Sequence, residues 1–130
     1  MCEAKAQLSA LIELLLWWLD DNPALSRAAR ELIAQPENTI FVSAATMWEI
    51  WLKASLGKLR LPAGFEPQLA AAGFESLPVS AAHARHIERL PWLHRDPFDR
   101  MLIAQAAVSG LTLLSANSAL GAYGRMVHAV

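Results

Sequence analysis

Apolar residues along this chain fall into two kinds of run. Longer stretches repeat at helical spacing and predict helices over 4–20, 26–35, 44–56, 65–72, 81–89 and 97–109, with a short one at 118–122. Shorter continuous runs predict strands: Ile40-Phe41-Val42-Ser43, Phe74 to Val79, Leu111 to Ser115 and Met126 to Val130. The punctuation agrees with this division. Asp20-Asp21 and Asn22-Pro23 stop the first helix, and Ser26, Ser43 and Ser80 stand where N-caps are needed. Asp96-Pro97 opens the last long helix, with proline in the position it suits best, and Gly110 closes it. Pro78 puts its strand near an edge or at a strand end.

Strands that alternate with helices predict a parallel sheet covered on both faces. The expected fold is therefore an α/β domain of three layers, α/β/α, around a central, mainly parallel sheet. One feature departs from that scheme. Such a domain usually opens on a strand, yet Glu3 to Leu19 contains no break between a strand and a helix. The expectation is an atypical helical N-terminus over residues 1–13, in a domain that could lack its first strand.

A length of 130 residues suits one domain, 1–130, with a real core. Hydrophobic residues make up 55% and charged residues 18%, more apolar than an ordinary soluble domain, so a partner or self-association surface is expected. The net charge of −1 exerts no global pull on nucleic acid; any such contact must use local basic groups. The single cysteine, Cys2, excludes an internal disulfide and fits a cytoplasmic protein. The most apolar run, Leu8 to Leu19, is interrupted by Ser9 and Glu13 and falls short of the roughly 20 residues that span a bilayer, so no membrane association is expected.

Three constellations could carry chemistry. Asp96 and Asp99 begin a helix, where acids ordinarily cap backbone donors and complement the dipole. Alternatively, Asp96 caps while Asp99, one turn in, offers its carboxylate to a metal. Glu49 lies mid-helix among large apolar neighbours in Thr46-Met47-Trp48-Glu49-Ile50-Trp51. Pairing with Lys53 four residues on is worth only about 0.2–0.5 kcal/mol on a helix surface, a weak reason for an acid in such company. A divalent cation is the other partner a buried carboxylate can have. Ser115 and Asn117 follow the end of a predicted central strand, as turn and cap residues or as polar groups at the edge where α/β sheets bind ligands. His83, His86, His94 and His128 show no metal-ligand spacing and are read as exposed or satisfied in the core. No P-loop, G-x-G-x-x-G or nucleophile-elbow motif is present.

Five segments, in order, resemble a known family: Leu15-Leu16-Trp17-Trp18-Leu19, Val42 to Ile50, Leu56-Gly57-Lys58-Leu59, His94-Arg95-Asp96-Pro97-Phe98-Asp99-Arg100 and Leu111 to Asn117. Together they are similar to PIN-domain proteins, and most to the VapC-type toxins of bacterial type II toxin–antitoxin pairs. The resemblance covers residues 14–130. It implies a ribonuclease dependent on Mg²⁺ or Mn²⁺ and neutralised by a cognate antitoxin, with an RNA substrate and a homodimeric state. It implies catalytic roles for Glu49, Asp99 and Asn117, metal binding by Glu49 and Asp99, and supporting roles for Asp96 and Ser115. Asn117 stands where the family often has Asp. Lys53, Lys58, Arg60, Arg95 and Arg100 are the candidate RNA contacts.

The chain departs from the family at its start. Counting back from Trp17-Trp18, Leu11 occupies the position of the first catalytic acid. Either the first 13 residues are not the ancestral start, or the toxin has decayed. The alternative function is then a catalytically impaired PIN-fold module that still binds antitoxin, itself or RNA. If Glu49 and Asp99 lay far apart, an unrelated α/β domain with purely structural acids would be favoured instead.

Overall fold

The structure, a computed structural model, describes the backbone of residues 7–10 and 12–130 and the side chains of 14–117, 119–128 and 130. Its elements run β1 (Gln7–Ala10), α1 (Ile12–Leu19), α2 (Arg27–Ala34), β2 (Thr39–Ser43), α3 (Ala44–Ser55), α4 (Phe65–Ala71), β3 (Glu75–Leu77), α5 (Ala81–His86), α6 (Pro97–Ser109), β4 (Thr112–Ser115) and β5 (Val127–Ala129). Short 3-10 turns occupy Ile87–Arg89 and Ser118–Tyr123. The strands form one sheet in the order β3-β2-β1-β4-β5, and all four pairings are parallel.

The expectation of an unbroken helix over 4–20 is corrected. Residues Gln7–Ala10 are a strand, and it is the central one: Leu8 pairs with Ile40 on one side and with Thr112 on the other. The sequence Gln-Leu-Ser-Ala has no β-branched or aromatic residue, so nothing local marks it. Its state comes from pairing on both edges, a tertiary term that outweighs intrinsic preference. The domain therefore has its opening strand, and α1 begins only at Ile12. Leu11 lies outside the described residues.

Elsewhere the local signals coincide with the elements. Ser26 caps α2 by accepting from the Ala29 amide at 3.1 Å. Ser80 and His83 form a reciprocal capping box on α5. Gly110 ends α6 at φ 68°, a left-handed conformation that a side chain would strain. The helix expected over 81–89 stops at His86 and tightens into the 3-10 turn.

Both sheet faces are buried, as continuous apolar strands require. Leu113 faces α6 and packs with Leu102, Ile103 and Ala106, whereas Leu114, its neighbour in β4, packs on the other face with Leu14, Ala29 and Ile33. A third cluster, Leu15, Val42, Ile50 and Phe65, seats α3 and α4 against α1.

One side chain ties the strand end to two helices. Ser43, fully buried at the end of β2, accepts from the Ala45 amide at 2.9 Å to cap α3 and donates to Gln105 Oε1 of α6 at 2.6 Å. Replacing it removes a cap and leaves a buried amide oxygen unsatisfied. We expect Ser43→Ala to lower stability by about 1–3 kcal/mol in urea denaturation, with the m-value unchanged.

Candidate active site

Beyond the carboxyl end of β4 the surface opens into a cleft of about 640 Å³, whose lining includes Trp17, Glu49, Lys53, Lys58, His94, Asp96, Asp99 and Asn117. This is the edge at which open α/β sheets bind ligands. Glu49 and Asp99, fifty residues apart in sequence, line the same cleft because α3, which follows β2, packs against α6, which leads into β4.

Glu49 is 5% exposed on α3. Its Oε2 pairs with Lys53 Nζ at 2.8 Å, and the lysine side chain remains 43% exposed. The local ion pair exists, but its partner is a flexible, half-solvated cation at the rim of the cleft.

Asp99 stands one turn into α6. Asp96 Oδ1 accepts from the amides of Phe98 at 2.8 Å and Asp99 at 3.1 Å, so Asp96 is the N-cap. That leaves the Asp99 carboxylate free of capping duty. Its Oδ2 instead accepts from His94 Nε2 at 2.8 Å. Burial pushes the Asp99 carboxyl up from its ordinary value; the His94 hydrogen bond and charge act the other way, while the charges of Asp96 and Glu49 raise it further. Glu49 and Asp99 are thus close enough to feel each other, in a cleft where negative charge is in excess.

The other expected residues divide. Asn117 lines the cleft, but its Oδ1 caps the 3-10 turn by accepting from the Ala119 amide at 3.1 Å. Ser115 is fully buried outside the cleft lining; its Oγ accepts from the Asn117 amide at 2.9 Å and shapes the turn. Lys53 and Lys58 line the cleft, Arg60 lines a neighbouring pocket that shares Leu16 and Trp17, and Arg95 is exposed on the loop before α6.

The expectation for Arg100 is corrected. It is 3% exposed and bonded to the carbonyls of Ile87 and Pro91, so it holds chain segments together and does not meet solvent where RNA could reach it. The reading of His94 as an ordinary exposed or core histidine is corrected too. The only signal in the sequence was its place five residues before Asp99, across the turn into α6.

A family model for the PIN domain matches residues 12–125. The chain belongs to the PIN-domain family. No curated protein sequence matches it. Among solved structures, a chain of the VapBC2 complex of Rickettsia felis bound to a promoter DNA fragment is similar, with TM-score 0.71 and 16% identity over 95% of this chain and 98% of that one. A chain of a toxin–antitoxin complex from Klebsiella pneumoniae is similar with TM-score 0.62 and 18% identity, covering 96% of this chain and 99% of that one. The three-layer α/β architecture is thus that of the PIN fold.

PIN domains are in general nucleases dependent on divalent metals. Among the described residues, no group of three or more His, Cys, Asp or Glu side chains could hold a metal. Two hard carboxylates facing one cleft still fit the way Mg²⁺ is commonly held, by one or two carboxylates together with substrate phosphates and water. Glu49 and Asp99 are the residues of this PIN domain that would hold such an ion.

Burial of the Asp99 carboxylate, with like charge beside it, has a cost in stability. A carboxyl whose folded pKa is raised binds more protons in the native state than in the unfolded one, so its contribution to stability falls as pH rises from the unfolded value toward the folded one. Asp99→Asn should therefore stabilise the protein at neutral pH, and the gain should shrink below the ordinary aspartate range. Urea denaturation of both proteins at pH 7 and near pH 3 checks the sign.

Proposed function

We propose that this PIN domain is the toxin-type member of a VapBC-like pair, a cytoplasmic single-domain protein directed at RNA phosphodiesters and controlled by a cognate antitoxin. The observation that carries this reading is the convergence of Glu49 and Asp99 in one cleft at the carboxyl edge of a PIN sheet. The solved structures it resembles are those of a VapBC complex and a toxin–antitoxin complex, which supports an antitoxin partner. A bound Mg²⁺ or Mn²⁺ would supply a hydroxide at neutral pH and neutralise developing phosphate charge.

The chain's own residues do the rest. Lys53 and Lys58 offer cations to the RNA backbone at the rim, and the neutral Asn117 adds no charge beside the phosphate. Asp96 fixes the start of α6 and thereby the position of Asp99. His94 holds one oxygen of Asp99.

A second reading has its own support. Glu49 and Asp99 already have internal partners, Lys53 for Glu49 and His94 for Asp99, and leucine stands at position 11 where the family has an acid. This favours low turnover, with binding to RNA or antitoxin outlasting cleavage.

Incubating purified protein with RNA and Mn²⁺ or Mg²⁺ separates the two. The toxin reading expects slow, metal-dependent cleavage that falls at least about 100-fold in Glu49→Gln and in Asp99→Asn. Cleavage insensitive to both substitutions would sink it. Leu11→Asp is expected to raise the rate and to tighten Mn²⁺ binding in calorimetry. If RNA binds but is never cut, the binding-module reading stands. RNA affinity should weaken with rising salt, with a shallower slope in Lys53→Ala/Lys58→Ala.

A further inference from the structure

His94 is gripped at both ends by consecutive residues of α6. Its ring bonds through Nε2 to Asp99 Oδ2 at 2.8 Å, and its carbonyl accepts from Arg100 Nη1 at 3.4 Å. The same guanidinium donates from Nη1 to the Pro91 carbonyl at 3.0 Å and to Tyr123 Oη at 3.2 Å, and from Nη2 to the Ile87 carbonyl at 3.2 Å. Tyr123 Oη donates in turn to the Pro91 carbonyl at 3.0 Å. The Trp92 ring covers the guanidinium at 3.9 Å.

Among the described residues Arg100 has no carboxylate partner, although it is buried. Burying a charge in this way costs stability, and an apolar side chain of similar size often packs as well or better. What the arginine supplies that an apolar residue cannot is a planar fork of donors, three of them spent on carbonyls of one segment, residues 87–94. That segment has only one short 3-10 turn of its own and ends on the histidine that touches Asp99.

We propose that Arg100 and Tyr123 are positioning residues: they clamp segment 87–94 so that the His94 ring pins one oxygen of Asp99 and leaves Oδ1 to a divalent cation in the cleft. This rests on the reading of the cleft as the active site. A carboxylate with one oxygen fixed has lost its rotational freedom before any ligand arrives, which is how groups behind a ligating carboxylate raise affinity. Arg100 acts on the cleft through the backbone of His94 and never touches the ligand.

The test uses Tyr123→Phe, which removes one hydroxyl, Arg100→Lys, which keeps the charge and loses the fork, and His94→Ala with His94→Gln, which restores an N–H donor. Thermal unfolding confirms folding of each. Long-range ¹H–¹⁵N NMR reads the His94 ring, and electron paramagnetic resonance reads Mn²⁺ affinity. The wild type should show an Nε2-protonated ring with a protected proton; that protection should be lost in folded Tyr123→Phe and Arg100→Lys. Mn²⁺ affinity should fall about 10–100-fold in His94→Ala, by less in Tyr123→Phe, and recover in His94→Gln. An unchanged His94 ring signal in folded Tyr123→Phe would overturn the clamp, whether or not Arg100→Lys folds. Unchanged or tighter Mn²⁺ binding in His94→Ala would overturn the positioning of Asp99. A wild type that binds no Mn²⁺ removes the metal reading of the cleft, and the ring signal then decides the clamp by itself.

Discussion

Two carboxylates from different helices share one cleft, where burial opposes the charge of Asp99 and Glu49 adds to that opposition. Glu49 and Asp99 belong to different helices, so their separation depends on how α3 and α6 are anchored. Ser43 supplies that anchor by capping α3 while bonding Gln105 of α6. Asp96 fixes the first turn of α6 through two amides. Lys53 pairs with Glu49 and His94 with Asp99, each at 2.8 Å. Burial and two neighbouring acids raise the Asp99 pKa while only His94 opposes them, and perturbed carboxyls of this kind cluster at functional sites.

What could be read from the sequence was governed by how local the physics is. Caps act within three residues, so Ser26, Ser43, Ser80 and the Asp96-Pro97 pair marked their helices correctly, and the apolar run at 111–115 marked a strand buried on both faces. The central strand was missed for the opposite reason. Gln7 to Ala10 has no preference that distinguishes it from the helix that follows, and only pairing with β2 and β4 makes it a strand. The meeting of Glu49 and Asp99 was likewise invisible to periodicity; it came from resemblance to a family, and the geometry now supplies its physical content.

Arg100 and His94 show a further limit. A charged residue is ordinarily read as surface, and Arg100 in a basic, aspartate-rich motif invites a phosphate contact. Its real partners are main-chain carbonyls of 87–94 and the hydroxyl of Tyr123, and carbonyls leave no trace in a side-chain pattern. His94 carries no such mark, because histidines at metal sites are recognised by their spacing to other ligands. Its partner here is a single carboxylate across a turn, an arrangement without a motif.

The charge count of the cleft bears on which activity the fold can sustain. RNA brings its own negative charge, so each carboxylate repels the backbone unless a cation intervenes. A full set of acids secures the cation tightly and leaves the cleft dependent on it. In the proposed reading, leucine at position 11 and asparagine at 117, where the family has acids, would lower cation affinity and also lower the repulsion that opposes a phosphate entering without metal. Lys53 and Lys58 then weigh more heavily against Glu49, Asp96 and Asp99. In the proposed reading the same substitutions that slow hydrolysis make the cleft a less metal-dependent place for a phosphodiester to rest. On that reading, slower hydrolysis and continued RNA binding would both follow from one change in charge balance.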